Sequence, residues 1–266
     1  MNKTLFKQTS KSNWIIGVII FAVMMMYLSI IISMFDPENM EGIMAMLETM
    51  PQELMAAMGL TELGVTLTSF VVSYYYGFLV IMFPMIYSII VANRLIAAHV
   101  ERGSMAYLLA TPNSRLEIVI TQALFLILSI TVLFLFVFLA GIIFSEILFP
   151  GHLEIGSFLL VNLITLLLFY AVSGISFFFS CLFNTTRKSL AFGAGVPVAF
   201  FVLDMLSNVR DQYSWIGNFS LFSLSDPLRI VEGDAVISIS IVVPLLIALM
   251  TYTAGIIIFN RKDLPI

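Results

Sequence analysis

Long apolar runs, almost free of charged residues, alternate with short polar segments along this sequence. The runs are too long for the strands of a membrane barrel, which alternate over about 10 residues. A helix needs roughly 20 apolar residues to cross the hydrocarbon core, and it satisfies its own backbone hydrogen bonds there. The pattern therefore predicts one domain, residues 1–266, with six membrane-spanning helices, at about 14–35, 64–93, 116–145, 156–183, 189–208 and 236–260.

The composition agrees with an all-α integral membrane protein. Hydrophobic residues make up 61% of the chain and charged residues only 11%, whereas soluble domains carry about 25% charged residues. Three lysines precede the first apolar run, as in a signal peptide, but the run is longer than the roughly 7–15 apolar residues of such a peptide. We therefore expect a retained anchor. A single cysteine, Cys181, excludes a disulfide framework.

The distribution of charge predicts which side of the membrane each loop faces. Ten of the twelve Lys and Arg residues lie in the terminal segments and in the loops after the second and fourth predicted helices. Such residues are retained in the cytoplasm, so both termini and the loop at 94–115 are predicted to be cytoplasmic. The predicted extracellular segments are 36–63, 146–155 and 209–235. We expect a multi-pass protein of the cell (plasma) membrane of a bacterium.

The first long outer segment, 36–63, is rich in methionine and has no basic residue. Its apolar residues recur at helical spacing, so we expect one or two short amphipathic helices, the second starting after Pro51. The alternative is a Cu(I) site, because thioethers are soft ligands. That site would use four methionines at two i, i+4 spacings, Met40, Met44, Met46 and Met50.

The second long outer segment, 209–235, is semi-apolar and is expected to dip partway into the helix bundle. Its aromatic residues suit the headgroup region, and with Asp204 they form a possible outer gate: Tyr213, Trp215, Phe219 and Phe222. Asp204 lies inside a predicted span but near its outer end. We expect it to act as a cap or an interhelical hydrogen-bond partner rather than as a proton relay.

The sequence lacks the motifs of catalysis and of nucleotide binding. His99 and His152 are predicted to lie on opposite sides of the membrane, so they cannot share a metal ion. Neither a G-x-S-x-G motif nor a P-loop motif is present. We expect no enzymatic activity, cofactor or metal site in this chain, and no nucleic-acid partner. If the protein uses ATP, a separate polypeptide must hydrolyse it.

The loop at 94–115 has the pattern of a short amphipathic helix. Gly103 breaks the preceding helix, and Ser104 can cap the next one. Met105, Leu108 and Leu109 follow at i, i+3 and i+4, which places them on one apolar face. That face would lie either on lipid or in a groove of a partner protein, and the pattern leaves both options open.

The same loop contains a stop signal and a second start signal. Thr111 precedes Pro112, and a residue before proline is disfavoured in a helix. Ser114 and Glu117 then form a capping box that begins the third membrane helix. These signals predict a helix of about two turns held between two rigid spans.

The order of elements in this loop resembles the inner loop of type-2 ABC transporter permeases. In that family a Glu-x-Gly-[Ser/Thr] element, a double leucine and a Pro-x-[Ser/Thr]-Arg element follow the second membrane helix, and this chain has them at 101–104, 108–109 and 112–115. The chain end at 259–264, FNRKDL, is similar to the family's closing motif. The chain departs from the family at Gln122, where lysine is common, and in the short segment before its first span.

The resemblance implies a six-helix, type-2 ABC exporter-like fold in which residues 103–112 form a coupling helix. This helix would dock on a separate cytosolic ABC ATPase, which would bind ATP and Mg²⁺. Two ATPase copies would serve two permeases, this chain and a second copy or a relative, among membrane lipids. Members of that family are mostly exporters of drugs, antimicrobial peptides, lipids or polysaccharides, and the short chain and short outer loops are more similar to the exporters of drugs, antimicrobial peptides and other amphipathic substrates. The implied docking residues are Glu101, Gly103, Ser104, Met105, Tyr107, Leu108, Leu109, Pro112 and Arg115.

Within that set, we expect Met105, Tyr107, Leu108 and Leu109 to contact the ATPase and the two charged residues to frame the contact. Two other functions remain open. One is a membrane assembly or immunity protein without transport activity. The other is a secondary transporter, although such proteins are built from inverted repeats and this sequence has no convincing repeat.

Overall fold

The computed structural model describes residues 2–36, 51–58, 66–110, 113–209, 211–233 and 235–263. It is 87% helix and has no strand in this part of the chain. Six helices are long and apolar enough to cross a membrane, which confirms the prediction of a six-helix bundle. The first to sixth spanning helices are Lys3–Met34, Leu67–Glu101, Arg115–Leu148, Ile155–Leu182, Thr186–Val209 and Ile237–Arg261.

Shorter helices lie in the connections between the spanning helices. They are Gln52–Ala57, Ser104–Leu109, Ser214–Gly217 and Pro227–Glu232, with 3₁₀ turns at Asp211–Tyr213 and Phe222–Ser225. Gln52–Ala57 follows Pro51, as the sequence predicts for the second amphipathic helix. The other predicted outer helix, and the methionines of the alternative Cu(I) site, lie outside the described residues.

The first spanning helix begins at Lys3, eleven positions before the predicted start at residue 14. The side chain of Asn2 caps it by accepting a 3.0 Å hydrogen bond from the backbone N–H of Leu5. The polar turns that follow are helical because they pack on the third helix. There the hydroxyl of Thr9 donates to Gln122 over 3.2 Å.

The fourth spanning helix is the centre of the bundle and packs on the second, third, fifth and sixth helices, most extensively on the sixth. Glycines permit this contact from both sides. A Cβ on Gly174 would overlap the hydroxyl of Thr251, and a Cβ on Gly255 would lie 3.3 Å from the Cα of Phe178. Small residues allow membrane helices to approach closely in this way.

The second spanning helix is interrupted by a π-helix, Val72–Leu79. At its end the backbone N–H of Val80 bonds to the carbonyl of Tyr75, five residues earlier. Pro84 lies inside the next helical segment, and proline has no N–H to donate to the carbonyl four residues before it. The sequence predicts a kink at this proline but gives no signal for the π-helix.

Pro197 lies inside the fifth spanning helix, where it removes the N–H that would bond to the carbonyl of Gly193. The fourth helix supplies a replacement, because the hydroxyl of Ser176 donates to that carbonyl over 2.8 Å. The proline therefore strengthens the contact between these two helices instead of leaving a buried carbonyl without a donor.

The glycine contacts predict how the bundle responds to added volume. Gly174→Leu should destabilise the protein by about 1–3 kcal/mol, because the new side chain must displace Thr251 and Tyr252. Thermal unfolding of the purified protein in detergent measures this change. Gly156→Leu is the matched control, since a Cβ at Gly156 meets nothing within 4 Å. Equal unfolding temperatures for the two variants would contradict the packing argument.

Candidate functional site

One end of the bundle carries both ends of the described chain together with the segments 97–110 and 113–115, and we call it the terminal face. The backbone N–H of Asn2 donates to the hydroxyl of Thr121 over 3.0 Å. The guanidinium of Arg115 donates to the carbonyl of Lys262 over 2.9 Å. The two chain ends are therefore both tied to the start of the third spanning helix.

The short helix Ser104–Leu109 begins after Gly103, whose φ of +69° lies in the left-handed region that favours glycine. Ser104 does not cap this helix, so that prediction is wrong. Ser104 is already the first helical residue, and its hydroxyl donates to the carbonyl of His99 over 3.2 Å. Its hydroxyl also shares a 2.8 Å hydrogen bond with Nδ1 of His99. The predicted stop at Thr111 and Pro112 lies outside the described residues.

The apolar face of the short helix packs on this protein's own bundle. Met105 is only 3% exposed, and Leu108 and Leu109 are half-buried against the core. Tyr107 points the other way and is 81% exposed. From the sequence pattern, either lipid or a partner protein could cover the apolar face. In the structure, the bundle itself covers most of it. An assignment of Met105 as a docking contact conflicts with this burial, because Met105 has almost no surface to offer.

Glu101, predicted as a framing charge, has a partner within the chain. Its carboxylate accepts a 3.2 Å hydrogen bond from the backbone N–H of Thr186, the first residue of the fifth spanning helix. An N-terminal helical N–H has no partner inside its own helix. Glu101 therefore links the end of the second helix at the terminal face to the start of the fifth.

Arg115, the other predicted framing charge, is part of a second link. It holds the backbone of Lys262, and the ammonium of Lys262 donates to the carbonyls of Cys181 and Leu182 over 3.0 and 2.8 Å. These carbonyls end the fourth helix, where cations are favourable. Burial lowers the pKa of Lys262 below its usual range. The closing motif at 259–264 contains Lys262, but the sequence predicts no role for it, because nothing local pairs it with a helix end 80 residues away.

The structure separates the predicted outer aromatic residues into two groups. Tyr213, Trp215 and Phe219 are exposed, whereas Phe222 is 2% exposed and packs edge-on against Phe201. None of these residues lies near the terminal face, since they connect the end of the fifth helix to the start of the sixth at the opposite end of the bundle.

The outer segment dips into the bundle, as the sequence predicts. The hydroxyl of Ser220 donates to the carbonyl of Phe200 over 2.7 Å. The fifth helix continues from Phe200 to Val209, so the segment returns along the helix by roughly 13 Å at 1.5 Å per residue.

Asp204 lies inside the fifth helix and is partly buried. Asp226 caps the helix Pro227–Glu232 through a 3.1 Å hydrogen bond from the backbone N–H of Leu228. Within the described residues, no hydrogen bond or ion pair to the carboxylate of Asp204 is present. The expectation that its side chain bonds to another helix is therefore not met there. No group of three or more His, Cys, Asp and Glu side chains in that part of the chain could hold a metal ion.

A protein-family model described as ABC-2 family transporter protein matches residues 6–264. The match starts in the first turn of the first spanning helix and includes the other five helices in full, together with the loop of the terminal face. No curated protein and no solved structure matches the chain.

The link between Glu101 and Thr186 predicts a local change in backbone protection. Glu101→Ala should speed amide hydrogen exchange in the first turn of the fifth helix, because the capping acceptor is lost. Hydrogen–deuterium exchange measured by mass spectrometry on peptides that contain Thr186 reports this directly. Glu101→Gln retains an oxygen acceptor and should show a smaller change. Unaltered exchange in the alanine variant would show that the hydrogen bond from Thr186 to Glu101 does not protect the start of the fifth helix.

Proposed function

Because this chain belongs to the ABC-2 family of transporter proteins, we propose that it exports amphipathic substrates when a separate cytosolic ATPase docks on the helix Ser104–Leu109. Family membership makes the chain a multi-pass membrane permease subunit of an ABC transporter and not the ATPase. The docking site, the direction of transport and the class of substrate are the proposal.

The observation that carries the docking site is the orientation of the short helix. Its apolar residues pack on the bundle, so the helix has a fixed position and orientation on the protein surface. Tyr107 projects from it with 81% of its surface exposed. A rigid aromatic residue surrounded by less exposed contacts has the character of a binding hot spot. The exposed parts of Leu108 and Leu109 would add to the contact with the ATPase. Met105 is buried and packs the short helix on the bundle.

The links at the terminal face supply a route for movement. The short helix follows the second spanning helix after a turn at Arg102 and Gly103. Glu101 joins that helix to the fifth, and Arg115 joins the third to Lys262 and so to the sixth and fourth. Displacement of the short helix by the ATPase is therefore passed to four spanning helices besides its own.

The remaining parts of the proposal follow the family. The ATPase binds ATP and Mg²⁺, two copies serve two permease subunits, and the terminal face lies in the cytoplasm of a bacterial cell. Support for a second permease copy comes from the fifth helix, which exposes small residues at i, i+4 and i+8 where another helix can approach closely: Ala191, Gly195 and Ala199.

Drugs and antimicrobial peptides are the proposed substrates, and vesicle transport assays test this choice. Inside-out vesicles that contain the permease and its ATPase should accumulate a fluorescent amphipathic drug or peptide when ATP is added. Accumulation driven by an ion gradient without ATP would instead indicate a secondary transporter. If neither ATP nor an ion gradient drives accumulation of any amphipathic drug or peptide that is assayed, the result would contradict the proposal of a drug or peptide exporter.

Tyr107 gives the sharpest test of docking. Tyr107→Ala should weaken binding of the ATPase by about tenfold or more, because truncation of a central aromatic contact typically costs over about 1–2 kcal/mol. Co-purification of the ATPase with tagged permease measures binding, and substrate-stimulated hydrolysis measures coupling. The half-buried leucines are poorer targets, because changing them would also disturb the packing of the permease.

Phe219→Ala is the matched control for this experiment. Phe219 is also an exposed aromatic residue, at 64%, but it lies at the opposite end of the bundle. Its removal should leave ATPase binding unchanged. Docking on the short helix is wrong if the two variants retain the ATPase equally well.

A further inference from the structure

A polar cavity of about 390 Å³ opens at the terminal face, between the start of the first spanning helix, the inner end of the second and the short helix. Its volume lies in the range of small-molecule sites, about 300–1,000 Å³. It is separate from the exposed side of the short helix that carries Tyr107. The only residue of the short helix in its wall is Leu108.

The charged residues in the wall are all basic in character. Arg94 and Arg102 line the cavity together with His99, and none of the described lining residues is acidic. The neighbouring Glu101 turns its carboxylate to the backbone of Thr186 instead. Among the described residues, neither arginine side chain has an ion-pair or hydrogen-bond partner. Two guanidinium groups are therefore available to an anion.

The inner wall of the cavity is polar although it is buried. Thr9, Asn13 and Gln122 line it, and they are 6%, 5% and 1% exposed. The amide nitrogen of Asn13 donates to the carbonyl of Thr9 over 3.0 Å, but its side-chain oxygen has no partner in the described part of the chain. A buried acceptor without a donor is costly, and a ligand hydroxyl would satisfy it.

The cavity lies at the level where the apolar surface of the bundle gives way to charge. On the first helix, Lys11 is the last charged residue before the exposed Trp14 and the long apolar run. On the second helix, Arg94 follows the apolar run directly. Tryptophan and basic residues concentrate at the headgroup level of a membrane. The opening of the cavity therefore borders lipid headgroups rather than acyl chains or bulk water.

We propose that this cavity binds the phosphate group of an anionic glycerophospholipid from the leaflet at this end of the bundle. The guanidinium groups of Arg94 and Arg102 would hold the phosphate oxygens in the bidentate manner that arginine favours. A headgroup hydroxyl would reach the Asn13 oxygen. Leu5 and Leu95 give the same cavity an apolar part, which suits the glycerol and first acyl carbons better than a free phosphate ion. The site stands without the docking proposal, since it requires no ATPase.

The test uses the purified full-length permease and counts bound ligand by native mass spectrometry. Phosphatidylglycerol has both a phosphate and acyl chains, diacylglycerol has acyl chains but no phosphate, and inorganic phosphate has no acyl chain. Wild-type protein should retain phosphatidylglycerol and not diacylglycerol. Arg94→Gln/Arg102→Gln should reduce retention at least about tenfold, because two charge-assisted contacts are lost.

Lys7→Gln/Lys11→Gln is the matched control. It removes two exposed basic residues of the first helix that do not line the cavity. Ser12→Phe is a second test variant. Ser12 is exposed and lines the cavity, so a phenylalanine at this position would fill the cavity without changing its charge. The lysine variant should retain the lipid, and the phenylalanine variant should lose it even if the arginine variant folds poorly.

The outcomes separate the possible sources of the phosphate. Retention of inorganic phosphate but not of phosphatidylglycerol, lost in the arginine variant, would support the phosphate site and overturn the lipid as its occupant. Equal loss of lipid in the arginine and lysine variants would reduce the effect to general surface charge and overturn the site. Unchanged retention in Ser12→Phe would place the lipid elsewhere.

Discussion

The contact between the fourth and sixth spanning helices is the constraint on which the rest of the bundle depends. Lipid offers no hydrophobic drive for helices to associate, so they associate through close packing and interhelical hydrogen bonds. Gly174 and Gly255 supply the close packing, one from each helix. Ser173 and Tyr252 supply a 2.9 Å hydrogen bond beside them. With the sixth helix held in this way, the fourth presents its other sides to the remaining helices.

Polar side chains along the fourth helix set the positions of its other neighbours. Asn162 donates to the hydroxyl of Tyr76 in the second helix over 2.7 Å, and Ser176 donates to a fifth-helix carbonyl. The same helix ends at the terminal face, where Lys262 holds its last carbonyls. The surface that presents Tyr107 is therefore fixed by bonds that begin deep in the bundle.

The six spans could be predicted from the sequence, because hydrocarbon thickness sets the length of an apolar helix and does not depend on its partners. The loop motif and Gly103 likewise identified the short helix, since left-handed backbone favours glycine. What failed depended on distant partners. The first helix starts at Lys3, and its polar turns contact the third helix through the hydrogen bond from Thr9 to Gln122. Likewise, the burial of Met105 follows from how the bundle closes around it, which no local spacing encodes.

The π-helix at Val72–Leu79 determines how the two halves of the second spanning helix are rotated relative to each other. Each residue of an α-helix advances the chain by about 100°, because one turn takes 3.6 residues. A π-turn closes over one residue more. The residues that follow it are therefore rotated about the helix axis, relative to the positions they would have in an uninterrupted α-helix. Arg94 and the short helix therefore face the directions they do because of an irregular turn near the opposite membrane surface. Loss of a single residue there would turn the whole terminal half by roughly a quarter of a rotation while leaving its own sequence intact.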